Sequence, residues 1–194
     1  MKLKNSIVKF IIFVRYWNSK MQGKNIKIWH YNSPCGRLLI GDYQEQMCLC
    51  DWDMPGRREL IDGRVARELN AQVVYGKTPL IERVVTQLDE YFKGVRRDFD
   101  LPLVMMGTDF QQRVWQELQL VPYGITISYS QLAERIGKPH AVRAVASACR
   151  ANAMSIIIPC HRVIGYDGAI TGYAGGVDAK RFLLKSEAKN SVKS

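Results

Sequence analysis

The chain has 194 residues, 47% of them hydrophobic, enough for a packed core without covalent staples. Its five cysteines are odd in number and irregularly spaced, which excludes a disulfide framework and suits a reducing cytoplasm. The formal net charge of +10 is uneven: residues 1–20 carry +5, residues 21–107 are neutral and residues 108–194 carry +5. A basic half beside a neutral one fits an anionic partner, most commonly nucleic acid, and fits a solvated basic surface equally well.

Residues 7–14 are apolar, but Lys9 interrupts a run of only eight residues, too short to span a membrane. No small-residue cleavage site follows, so residues 1–20 read as an extension, or as an upstream start before Met21. No other segment approaches a transmembrane helix, and no membrane partner is expected. From Ile26 to Met54 the pattern predicts short strands around Ile26 and Ile28, Leu38 to Ile40, and Met47 to Trp52. Turn-prone Asn32-Ser33-Pro34 and Gly41-Asp42 separate them. Residues 56–70 are charged and weakly patterned, a loop or marginal helix. Thr78 as cap and Pro79 at the first position start a helix, and Ile81, Val84, Val85, Leu88, Tyr91 and Phe92 recur at helical spacing up to Gly94.

The second half changes character. Thr108 with Gln111 forms a capping box for a helix through Val114, Trp115 and Leu118, ended by Val121-Pro122-Tyr123-Gly124. Ser130 is expected to cap a short helix over residues 131–136, and Gly137-Lys138-Pro139 makes a tight turn into an Ala-rich helix over residues 140–150. That outline is a helix-turn-helix. A last helix is expected over residues 177–187. The fold class is therefore α+β: a small N-terminal sheet-plus-helix domain (residues 21–105) followed by a mostly helical C-terminal domain (residues 106–190).

Chemistry concentrates in Ile156-Ile157-Ile158-Pro159-Cys160-His161-Arg162-Val163. A buried cysteine is ordinarily an inert small hydrophobe. Here an apolar run leads into a cysteine followed by histidine and arginine, which need partners in an apolar setting. That order points to a reactive thiol on the floor of a pocket. In an extended segment Cys160 and His161 would face opposite ways, so a bridging water, or a bend at Pro159, is needed to connect thiol and base. Such a base needs a third group to hold its tautomer, and Glu187 is the best downstream acid.

Pro159-Cys160-His161-Arg162-Val163 resembles the signature of the O6-alkylguanine DNA alkyltransferases, the methylated-DNA–protein-cysteine methyltransferases. Ser128-Tyr129, Arg143-Ala144-Val145, Asn152, Thr171-Gly172-Tyr173-Ala174-Gly175-Gly176 and Glu187 follow in register, over about residues 108–188. The N-terminal half is only loosely similar, and the whole looks most like the constitutive bacterial form. The resemblance implies Cys160 as nucleophile and alkyl acceptor, His161 as its base through a water, Glu187 as the group orienting His161, and Asn152 as a brace for the preceding turn. It implies that Arg143 fills the gap left by an extruded guanine and that Tyr129 presses on the target phosphate, with its hydroxyl near the base. Ala144 and Arg150 would also meet DNA, with the alanines of this Ala-rich segment (Ala144, Ala146, Ala148 and Ala151) allowing close approach to the minor groove. Val163, Tyr173, Ala174 and Gly175 would line the guanine pocket. The implied partner is double-stranded DNA carrying alkylated guanine, met by a monomer without metal or cofactor, with O4-alkylthymine left open as a second substrate.

Two other functions fit parts of the pattern. A non-enzymatic relative would bind alkylated DNA without an acceptor cysteine, which Cys160 argues against. A cysteine hydrolase would use Cys160, His161 and Glu187 as a triad but also needs an oxyanion hole, of which the sequence gives no sign. His30, Cys35, Cys48 and Cys50 share a short window, with both thiols of Cys48-Leu49-Cys50 expected on one strand face. The Cys-x-Cys spacing is not the usual one for zinc, and no metal is expected.

Overall fold

The computed structural model describes residues 24–191, and for residues 57–62 the backbone alone. The expectations for residues 1–20 and Met21 lie outside the described residues. Strands β1 (Asn25–Ser33), β2 (Gly36–Tyr43) and β3 (Gln46–Trp52) form a meander, extended by helix α1 (Arg57–Leu69) into β4 (Gln72–Tyr75). The sheet order is β3-β2-β1-β4, with β4 parallel to β1 and the other pairs antiparallel. Gln44 and Glu45 join β2 to β3 with φ of 52° and 61°, the left-handed pair that matches the twist of a tight hairpin. The sequence pattern did not predict β4: it has four residues, all exposed, so no alternation marks it.

A register shift at Gly41/Asp42 leaves Cys48 as an extra residue on β3. Such a bulge reverses the alternation beyond it. Cys48 therefore packs with Ile26, Leu39 and Val65 in a satellite cluster, whereas Cys50 packs with Leu38, Ile40 and Trp52 in the main core. The expectation that both thiols share a face is corrected by this bulge. Among the described residues no three His, Cys, Asp or Glu side chains group in a way that could hold a metal.

Helix α2 (Pro79–Phe92) starts as predicted, with Thr78 Oγ1 accepting from Ile81 N at 3.1 Å. It buries Leu80, Ile81, Val84, Leu88 and Tyr91 in the main core. The second half holds α3 (Asp109–Gln119), β5 (Ile127–Ser128), α4 (Tyr129–Arg135), α5 (Val142–Arg150), a 3₁₀ turn at Cys160–Arg162, β6 (Val163–Ile164) and α6 (Gly176–Ser191). The cap of α4 is Ser128, not Ser130: Ser128 Oγ accepts from Gln131 N, and Gln131 returns a bond to Ser128 N. This capping box begins two residues earlier than expected and makes Tyr129 the first residue of the helix. Helix α5 begins two residues later than expected, and α6 runs four residues further.

One core spans both halves, with Leu38, Trp52 and Leu88 meeting Trp115, Leu132, Val145 and Leu183. The loop before Cys160 is docked on the edge of β3, through Cys50 N to Ala153 O at 2.8 Å and Ser155 Oγ to Asp51 Oδ1 at 2.9 Å. An edge strand is thereby covered, and the loop gains a rigid support. No helix among the described residues is long and apolar enough to cross a membrane.

Candidate active site

The isoleucine run is buried, as predicted, but it bends. Ile156 has φ 72°, a conformation that a β-branched residue adopts only when its surroundings impose it. Asn152, just past α5, holds the bend from inside. Its Oδ1 accepts from Met154 N at 2.9 Å, and its Nδ2 donates to Ile158 O at 2.9 Å and lies 3.3 Å from Cys160 Sγ. Cys160 then opens the 3₁₀ turn that Pro159 caps. Cys160 is 5% exposed and sits at one wall of a cleft of about 390 Å³. Tyr129, Ala146, Cys149, Arg150, Tyr173 and Ala174 line the same cleft, with Thr171 and Gly172.

Behind the thiol the side chains are polar and closed to solvent. His161 and Glu187 are both fully buried, and His161 Nε2 lies 2.8 Å from Glu187 Oε1. The carboxylate can only accept, so Nε2 carries the proton and Nδ1 keeps its lone pair. Nδ1 is buried and meets no protein hydrogen-bond partner. Burial pushes His161 below its ordinary pKa despite the opposing pull of Glu187, with Arg162 and Lys180 adding to the lowering.

Glu187 is saturated with donors. Arg162 Nε and Nη2 reach its oxygens at 3.0 Å each, Tyr91 Oη at 2.6 Å and Gly124 N at 2.9 Å. Burial alone would raise its carboxyl, but the hydrogen bonds and charges of His161 and Arg162 more than reverse this and hold it well below the usual carboxylate range. Arg162 is itself buried and fixed by Nη1 donating to Val121 O at 2.6 Å.

The remaining candidates divide. Tyr129 is half-buried beside the cleft, because β5 pairs with β6 directly after the 3₁₀ turn (Ile127 with Val163, Ser128 with Ile164). Burial pushes its phenol up to about 12, with Cys149 and Cys160 adding to the shift. Arg150 is exposed at the cleft, whereas Arg143 and Ala144 stand exposed in the first turn of α5 and do not line it. Val163 is in the core, and its carbonyl accepts from the buried Lys180 Nζ at 2.6 Å. Gly175 packs against Trp52: a Cβ there would come within 2.3 Å of the indole, so only glycine fits. Tyr173 stands between the cleft and the relay, its ring 6.4 Å from that of His161.

Two family models match the chain. Residues 27–105 match the ribonuclease-like domain and residues 109–189 the DNA binding domain of 6-O-methylguanine DNA methyltransferase. A methylated-DNA–protein-cysteine methyltransferase of Methanosarcina barkeri is 42% identical over 158 residues, covering 81% of this chain and 94% of the relative. The chain belongs to this family. A constitutive family member from Bacillus subtilis is 40% identical over 80% of this chain and 91% of its own length. The crystal structure of Mycobacterium tuberculosis OGT in complex with DNA superposes with a TM-score of 0.72 at 37% identity, covering 86% of this chain and 94% of that one.

Four groups at this methyltransferase-type site escaped sequence reasoning: the buried Tyr91, Arg162 and Lys180, and the half-buried Gly124. Arg162 carried a signal, since a cation beside an apolar run demands an acid, and Glu187 meets that demand as well as holding His161. Lys180 falls on the inner face of α6, fully buried, and donates to Thr171 O at 3.0 Å as well as Val163 O. Tyr91 looked like any core position of α2, and nothing in its spacing marks a hydroxyl reaching Glu187 from 96 residues away.

Proposed function

We propose that this chain repairs DNA by taking the alkyl group from the O6 oxygen of guanine onto Cys160 Sγ, once per molecule. The observation that carries this reading is the thiol at the wall of an open cleft, backed by a buried histidine whose far nitrogen is held by an ionised carboxylate. The Cys160 proton passes through a water to His161 Nδ1, and Glu187 stabilises the imidazolium that results. The sulfur lone pair forms a bond to the alkyl carbon, the carbon–O6 bond breaks, and its electron pair stays on guanine. Tyr129, whose phenol remains protonated at neutral pH, donates a hydrogen bond to that developing charge. The product is a thioether, and guanine takes up the proton. No group in the cleft removes the alkyl group again, so the protein is spent.

A guanine stacked in a duplex cannot reach this thiol, so it must be flipped out at a cost of about a few kcal/mol. Arg143 is exposed in the first turn of α5 and free to enter the vacated stack, while Arg150 sits beside the cleft to meet a phosphate. Small residues at Ala144 and Ala146 let α5 approach a minor groove, whose readout is sequence-poor and suits repair at any site. Every group named belongs to one chain, so a monomer suffices. DNA bearing radiolabelled O6-methylguanine tests this: label is expected on the Cys160 peptide at no more than one equivalent. Label that stays on DNA would sink the reading.

A further inference from the structure

Glu187 has two oxygens in different company. Oε2 accepts from Arg162 Nε and Gly124 N, whereas Oε1 accepts from His161 Nε2 at 2.8 Å, Arg162 Nη2 at 3.0 Å and Tyr91 Oη at 2.6 Å. Arg162 already neutralises the carboxylate, so Tyr91 is not needed to keep it ionised. Its hydroxyl lands on the oxygen that holds the imidazole. Donors to one oxygen draw on the same electron density, and each weakens what the others receive. Tyr91 comes from α2, in the half of the chain from which none of the described residues lines the cleft.

We propose that Tyr91 is a positioning residue for the alkyl transfer, its hydroxyl limiting how strongly Glu187 can pull on the imidazolium of His161. The inference rests on the alkyl-transfer reading and gives the N-terminal half a part in a proton transfer it does not touch. The other groups facing His161 are Arg162 and Cys160 on its own turn, Lys180 on α6 and the Tyr173 ring. Of these only Arg162 shares an acceptor with the Tyr91 hydroxyl, through Nη2 on Glu187 Oε1. With the hydroxyl gone, Glu187 becomes a stronger acceptor, imidazolium is favoured, and His161 holds its proton to higher pH. The base is then lost sooner as pH falls. The Tyr91 ring packs on Phe92, Phe99 and Tyr123, contacts that phenylalanine retains.

The test is Tyr91→Phe in the full chain, read by single-turnover transfer rate against pH and by the NMR titration of the His161 ring. Both midpoints are expected to rise by roughly half a unit to one unit, a three- to tenfold slower transfer below the limb. Placing 3,5-difluorotyrosine at position 91, a more acidic donor, should move both midpoints down. In a Glu187→Gln background Tyr91→Phe should shift the His161 titration no further. Superimposable profiles for wild type and Tyr91→Phe, a shift that persists without the Glu187 charge, or an upward shift with difluorotyrosine would each overturn the proposal. If the glutamine variant does not fold, the fluorinated protein decides. Failure of the parent reading looks different: wild type would transfer no label at any pH, while the His161 titration would still report the Tyr91 coupling.

Discussion

The two sides of the cleft are built on opposite principles. The wall behind Cys160 is closed: His161, Arg162 and Glu187 are buried, and Glu187 takes donors from three other elements. The rim on α5 is open: Arg143, Ala144 and Arg150 are exposed on a helix whose other face carries Val145, Ala148 and Cys149 into the core. A buried charge is tolerable only when fully paired, so the wall has to be complete before any substrate arrives. Exposed cations on the rim keep their hydration and need no such enclosure. The wall is thus fixed by internal pairing, whereas the rim faces solvent.

That contrast can be broken at the wall first. Cys160→Ala should abolish transfer of label while leaving DNA affinity unchanged, measured by gel shift. Residual transfer would place the acceptor elsewhere. Glu187→Ala leaves Arg162 buried without its counter-charge, and a loss of roughly 3–5 kcal/mol in urea-unfolding stability is expected. A change under about 1 kcal/mol would mean that the wall is not a single paired unit. At the rim, Arg143→Ala should keep its melting temperature and its rate with free O6-alkylguanine. Its rate on duplex DNA should fall by roughly tenfold or more, since flipping then loses its support. Equal slowing of both substrates would remove Arg143 from the flipping step.

The smallest effect sharpens the comparison by pH. His161 and Glu187 both bind their protons less tightly in the folded chain than in the unfolded one. Each contributes stability that is complete above its unfolded pKa and is lost as pH falls through the folded one. Melting temperature should therefore hold near neutrality, decline from about pH 6.5 as unfolded histidine gains protons, and decline more steeply below about pH 4.5. A stability that rises on acidification would contradict the buried, neutral His161.

Much of this was legible in residues adjacent in sequence. Caps at Thr78 and Thr108, the helical spacing from Ile81 to Phe92 and the apolar lead-in to Cys160 are short-range signals, and the structure matches them. The Ser130 cap failed because two serines two residues apart offer the same side chain, and only one has Gln131 at the reciprocal position. Strand β4 was missed because parallel pairing with β1 leaves no pattern in four exposed residues. The common face assigned to Cys48 and Cys50 failed because one bulged residue inverts every side chain beyond it.

By itself the sequence determined the α+β order and singled out Cys160, His161 and Glu187 as candidates, because these rest on residue identity and pattern. Only the tertiary structure decided how Glu187 survives ionised in the core, which oxygen Tyr91 occupies, and why the loop carrying Ile156 holds its strained turn. Those depend on donors brought together from distant parts of the chain. A buried carboxylate responds to whatever lies within hydrogen-bond reach, whatever its separation in sequence.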